Sequence, residues 1–137
     1  MLAQLQVSRR LDDDLRSAHD LSLQEYGVLL LLAEAPDRRL RMSRLADDLA
    51  LSRSGVTRVV DRLVRDDLVE RVSCTTDARG SEAQLTEHGL ARLRAASVTH
   101  LRGIAEYFLA AIDPADLPAI ERSFESISRR LHARQPV

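Results

Sequence analysis

Guanidinium groups are the chain's only strongly basic side chains, and the middle third concentrates them. Ser52, Arg53, Ser54, Thr57, Arg58, Arg62 and Arg65 fall within fourteen consecutive residues. At helical spacing, Arg53, Thr57, Asp61 and Arg65, with Ser54, Arg58 and Arg62, lie on one side, and Val56, Val59, Val60 and Leu63 on the other. A planar guanidinium forms paired hydrogen bonds to phosphate oxygens or to guanine O6 and N7, so Arg53 and Arg58 suit base reading. Hydroxyls at a helix start, as at Ser52 and Ser54, favour phosphate oxygens. Arg71 and Arg62 can each meet a phosphate or serve an internal ion pair, and Arg62 reads as the internal kind. All 20 basic residues are arginine and none is lysine, a bias that genomic codon usage also produces.

Other chemistries lack their residues. Cys74 is the one cysteine, which leaves no intramolecular disulfide framework and no multi-cysteine zinc site. It lies near Arg71 and Arg79, but no second cysteine could resolve an oxidised thiol. His19, His88, His100 and His132 are scattered, with no pair at metal-binding spacing on one helix, so no metal is expected. There is no glycine-rich phosphate loop, nucleophile elbow or paired histidine–carboxylate motif, so neither catalysis nor a cofactor is expected. Two Tyr and two Phe are too few for single-strand binding by base stacking.

The 137 residues suit one domain with one core, and 45% apolar with 30% charged residues fits neither a disordered nor a membrane-spanning chain. The longest apolar run, Val28 to Ala33, is far shorter than the roughly 18 residues a span needs. Met1 to Arg10 has no signal-peptide apolar region, so a soluble, cytoplasmic protein is expected. The net charge of −1 by itself argues against a nucleic-acid partner, but it averages unlike segments. Residues 1–37 carry 3 Arg and 7 acids, residues 38–79 carry 10 Arg and 7 acids, and residues 80–137 carry 7 of each.

The elements that must hold the arginine face can be read in order. Leu5, Leu11, Leu15 and Ala18 predict a helix over Ala3 to Ala18, with Asp12, Asp13 and Asp14 on a solvated side. Ser22 with Glu25 forms a capping box opening a second helix, stopped at Pro36-Asp37 and apolar enough to be central. Leu40 to Met42 reads as a connector or one short strand. Ser43 is expected to cap a short helix carrying Leu45, Ala46 and Leu49, and Ala50-Leu51-Ser52 turns into the arginine helix. Two short helices and a tight turn make a helix-turn-helix. Leu68 to Val72 and Glu82 to Leu85 read as strands of a hairpin, a wing with a long polar tip. Thr86 caps a long helix to about Ile112, and Asp113-Pro114 opens a last helix with Asp as cap and Pro first. There Leu117, Ile120, Phe124, Ile127 and Leu131 recur at coiled-coil spacing. These terminal helices exceed what a winged helix needs. Leu5, Leu11, Leu101, Ile104, Phe108, Leu117, Ile120, Phe124 and Ile127 are the expected contacts of a homodimer.

Several blocks together resemble the MarR family of bacterial transcription regulators: Leu40 to Ala46, Leu51 to Leu63, Leu68 to Arg71, Asp77 to Gly80, and Leu85-Thr86. The resemblance runs from about Leu21 to Ile127. One residue departs from it, since Asp67 stands where the family usually has glycine. Aspartate tolerates the left-handed conformation, so the turn should survive. The resemblance implies a mainly α fold with a small β-wing, a winged helix-turn-helix flanked by N- and C-terminal dimerisation helices. It implies one domain over 1–137, with the DNA-binding lobe at 21–85 and dimerisation helices at 1–20 and 86–137. It further implies a homodimer on a pseudo-palindromic double-stranded DNA operator, acting as a repressor released by a small phenolic or aromatic ligand. Ser52, Arg53, Ser54, Thr57, Arg58 and Arg71 would meet DNA. Arg79 would enter the minor groove with Asp77 orienting it, and His19 and Tyr26 would line the ligand pocket. The rival reading is a helical dimer module whose arginine face docks an acidic protein without DNA.

Overall fold

The structure, a computed structural model, describes residues 2–73 and 81–132. Helix α1 (Leu2–His19) is followed by α2 (Leu23–Glu34), strand β1 (Arg39–Arg41), α3 (Met42–Asp48) and α4 (Arg53–Arg65). Strands β2 (Val69–Ser73) and β3 (Ser81–Leu85) lead into α5 (Glu87–Tyr107) and α6 (Leu117–His132). This is a mainly helical winged helix-turn-helix, as expected.

Local chemistry explains most element starts. The capping box of α2 is complete: Ser22 Oγ accepts from Glu25 N at 3.1 Å, and Ser22 N donates to Glu25 Oε2 at 2.7 Å. Ser52 caps α4 through Gly55 N, and Thr86 caps α5 through Gly89 N. Asp67 does take the left-handed conformation, at φ 58°, and α4 ends in the turn it makes. Two starts differ from expectation. Arg41, with no side-chain cap, precedes α3, and Ser43 lies inside its first turn, because β1 runs directly into the helix. Asp113-Pro114 opens no helix. Asp113 Oδ1 and O accept from Ala115 N and Asp116 N in a turn, and α6 begins at Leu117 with Pro118 in its first turn, where a missing N–H costs nothing. Helix α5 also stops before Ile112. After Tyr107 the chain tightens into a 3₁₀ turn (Leu109–Ala111), and Ile112 is already extended ahead of Pro114.

The connector at Leu40 is a strand. β1 pairs antiparallel with β3, Leu40 opposite Ala83, and β3 pairs with β2, giving the order β1-β3-β2. The wing is therefore anchored on a third strand that precedes the helix-turn-helix. Around α2 gathers one core of buried residues: Val28, Leu29, Leu32, Leu45, Val56, Val60, Leu63, Leu68, Leu85 and Leu93 among them. Gly89 lets α5 enter this core closely, since a Cβ there would lie 2.0 Å from Leu68 O.

Helix α1 packs along α5. Leu11, expected at a dimer contact, is instead buried within the chain, where a Cβ on Gly103 would meet its Cδ2 at 2.6 Å. Nor are the acids of α1 all solvated. Asp12 accepts from Leu23 N at 2.7 Å and pairs with Arg16, and Asp14 accepts from Tyr107 Oη at 2.8 Å. Burial opposes ionisation of Asp12, but the Leu23 N–H and Arg16 outweigh it and hold the carboxyl below the usual range. The Tyr107 phenol is pushed up because it donates to the Asp14 carboxylate.

Candidate nucleic-acid interface

Helix α4 is attached by its valines. Val56, Val60 and Leu63 are buried against the core, and Val59 is half-buried. The opposite side is open: Ser52, Arg53, Ser54, Thr57, Arg58, Asp61 and Arg65 are exposed. Among the described residues, no carboxylate or other side chain engages the guanidinium of Arg53, Arg58 or Arg65. Ser52 Oγ accepts from Gly55 N at 3.0 Å and lies 3.2 Å from Ser54 Oγ. Thr57 Oγ1 donates back to Arg53 O at 2.9 Å, leaving its oxygen free to accept. Among the described residues, the helix thus presents free guanidinium groups along one side, with Arg53 at its electropositive N-terminus, a geometry suited to anions.

The remaining arginines of this region are occupied. Arg71 donates to Asp61 Oδ1 at 2.8 Å and to Ser81 Oγ at 3.3 Å, which ties the wing to α4. Arg62 pairs with Asp20 and with the buried Glu25. Arg44 pairs with Asp48 on α3, and Arg38 with Glu87. Cys74, Asp77 and Arg79 of the expected wing tip lie outside the described residues.

His19 and Tyr26 converge on one stretch of α5. His19 Nε2 is 2.8 Å from Thr99 Oγ1, Tyr26 Oη is 3.2 Å from Ser97 Oγ, and the Tyr26 ring lies 4.5 Å from that of His100. Tyr26 is buried. His19 borders an open groove of about 590 Å³ with Arg16, Asp20, His88 and Arg92, which Tyr26 does not line. Burial pushes His100 below the ordinary histidine range, and its Nδ1 has no hydrogen-bond partner. Sequence reading missed Glu25 as a partner of Arg62 and Asp61 as a partner of Arg71. The Ser22–Glu25 spacing signalled only the cap, and nothing local signals a contact 37 residues away.

A buried-backed, arginine-faced helix behind a short turn, with a strand pair beside it, defines a winged helix-turn-helix protein. Comparisons with known proteins give the family. Residues 19–80 match the MarR family. The solved structure of AbsC, a MarR family transcriptional regulator from Streptomyces coelicolor, is 30% identical with a TM-score of 0.85, over 96% of this chain and 88% of that one. That of Sco3205, a regulator of the same family and organism in complex with DNA, is also 30% identical, with a TM-score of 0.87 over 98% of this chain and 82% of that one. The HTH-type transcriptional repressor YetL of Bacillus subtilis is 37% identical over 73 residues, which is 53% of this chain and 44% of the repressor. The chain belongs to the MarR family of transcriptional regulators. No described helix is long and apolar enough to cross a membrane.

Proposed function

We propose that the chain is a cytoplasmic, homodimeric, sequence-specific binder of double-stranded DNA that regulates transcription, most simply as a repressor. One observation carries this reading. Among the described residues, Arg53, Arg58 and Arg65 stand exposed and unpaired on α4, whereas Arg62 and Arg71 beside them are neutralised by carboxylates. Unpaired guanidinium groups on a helix fixed from behind are placed to meet phosphates and base edges. The likeness to Sco3205, solved with DNA, supports the same reading. In this proposal Ser52, Ser54 and Thr57 position the helix on the backbone, and Arg53 or Arg58 reads bases. Arg71 acts by holding the wing. Arg79 and Asp77 remain the proposed minor-groove contact and its orienting partner.

Dimerisation is part of the proposal. Leu5, Leu101, Phe124, Ile127 and Leu131 are exposed, and Ile104, Phe108, Leu117 and Ile120 half-buried, on the ends of α1 and α5, the segment between α5 and α6, and α6. A second copy covering them would supply a second α4, and two such helices about 34 Å apart would meet successive turns of one duplex. The groove beside His19 is the proposed seat of a small aromatic anion that favours a DNA-incompetent spacing.

An electrophoretic shift titration with the DNA upstream of the chain's own gene tests this. Retarded dimer–duplex complex at low salt, weakening steeply as salt rises, is expected. Arg58→Ala should cost about 1–3 kcal/mol of operator affinity. Absence of any shift, alongside capture of an acidic protein by the same face, would replace the reading with a protein-docking module.

A further inference from the structure

Asp61 and Arg62 are neighbours on α4, and they point to different parts of the molecule. Asp61 holds Arg71 of the wing. Arg62 reaches the opposite way, to the junction between α1 and α2. Its Nε is 3.2 Å from Glu25 Oε1, and a terminal amino group is 3.2 Å from Asp20 Oδ1. The two carboxylates differ. Asp20 is 85% exposed, whereas the Glu25 side chain is 5% exposed and also accepts from Ser22 N. A buried carboxylate without its cation is strongly disfavoured, so Glu25 and Arg62 move as a unit.

The junction itself is tied to α5. Asp20 takes a left-handed φ of 52° immediately after α1. The preceding residue, His19, accepts from Arg92 through its carbonyl at 2.9 Å and bonds Thr99 through its ring. Leu23 N donates to Asp12 of α1. One short segment, 19–25, therefore touches α1, α5 and α4 through polar bonds with fixed directions. A shift of α1 or α5 has a direct polar route to α4 beside the packed apolar core.

We propose that Arg62 is a positioning residue: through Glu25 and Asp20 it sets the orientation of α4 according to the α1–α2 junction, and so couples the terminal helices to the DNA-reading face. This rests on the DNA-binding reading for its effect on the operator, but the coupling itself does not. Arg62 touches no nucleic acid in this proposal.

Three conservative substitutions test it on the full-length chain. Glu25→Gln keeps an oxygen for Ser22 N and removes the ion pair. Arg62→Lys keeps the charge but loses the fork that puts separate nitrogens on Glu25 and Asp20. Asp20→Asn removes only the exposed arm. Amide hydrogen exchange without DNA is read first. Glu25→Gln should speed exchange several-fold in residues 57–65, and Arg62→Lys in residues 20–26, with residues 119–127 of α6 unchanged and Asp20→Asn giving the same pattern more weakly. Effects confined to the substituted element, or equal across the whole chain, overturn the coupling. Operator titration is read second. Arg62→Lys should lose at least tenfold in affinity with an unchanged slope of log K against log salt, and with non-specific binding intact. Wild-type affinity for the Lys variant overturns the proposal, since a plain phosphate contact would accept that exchange. Should the unsubstituted chain fail to bind any duplex, the DNA-binding reading falls, and the exchange pattern still decides the coupling.

Discussion

Helices α4 and α6 carry the same kind of pattern and meet opposite fates. On α4, Val56, Val60 and Leu63 recur at helical spacing and are 2%, 0% and 0% exposed. On α6, Phe124, Ile127 and Leu131 recur at the same spacing and are 60%, 52% and 62% exposed. The apolar stripe of α4 finds α2 and the sheet within its own chain, so its polar stripe is displayed in a fixed direction. The stripe of α6 finds no such cover. Amphipathicity thus specifies that a face will be covered, and only the neighbouring elements decide whether the cover is the same chain. In this protein the first outcome displays the arginine side of α4, and the second leaves the stripe of α6 exposed among the described residues.

The sharpest way to break the comparison is to remove one apolar side chain from each helix. Leu63→Ala should cost about 2–5 kcal/mol of stability by denaturant unfolding, because it opens a cavity in the packed core. A loss below about 1 kcal/mol would mean that α4 is not held as described. Gly89→Ala should come next, at about 1–3 kcal/mol, since the new methyl must displace Leu68 O and the start of α5. Phe124→Asp should leave the unfolding of the isolated chain within about 0.5 kcal/mol, as surface substitutions do. In sedimentation velocity the same variant should run as monomer at concentrations where the unsubstituted chain is dimeric. An unaltered sedimentation coefficient would remove the α6 stripe from the proposed dimer contact.

The smallest effect concerns His100, which lies against Tyr26 between α2 and α5. Its folded pKa is depressed by burial, so the unfolded chain binds its proton more readily. The stability tied to the neutral ring is therefore present above the unfolded value of about 6.5 and declines as pH falls through it. Unfolding midpoints at pH 7.5 and 5.5 should differ less in His100→Asn than in the unsubstituted chain. An equal difference in both would assign the pH dependence to other groups.

Much of this architecture was legible because it is local. Ser22 with Glu25, Ser52 and Thr86 mark helix starts through bonds spanning three residues, and the α4 stripes need only a period of 3.6. The tolerance of Asp67 for a left-handed turn follows from its own side chain. The errors fall where non-local partners compete. Leu11 has the same look as Leu5, but Gly103 opens space on α5 for one and not the other. The stretch at Leu40, open between connector and strand by sequence, is a three-residue strand because β3 lies beside it. Asp113-Pro114 fits a helix start by composition, yet the chain turns there and delays α6 to Leu117.

The same division governs the site. By itself the sequence determined that one helix has an arginine side and a valine side, since that follows from residue order and helical geometry. It marked Arg62 for an internal ion pair but could not name the partners. Arg53, Arg58, Arg62 and Arg65 share one face, and tertiary structure alone brings Glu25 and Asp20 to Arg62 while, among the described residues, the other three stay unpaired. The reason is physical: the fate of a charge depends on its nearest opposite charge in space, and that neighbour lies dozens of residues away along the chain.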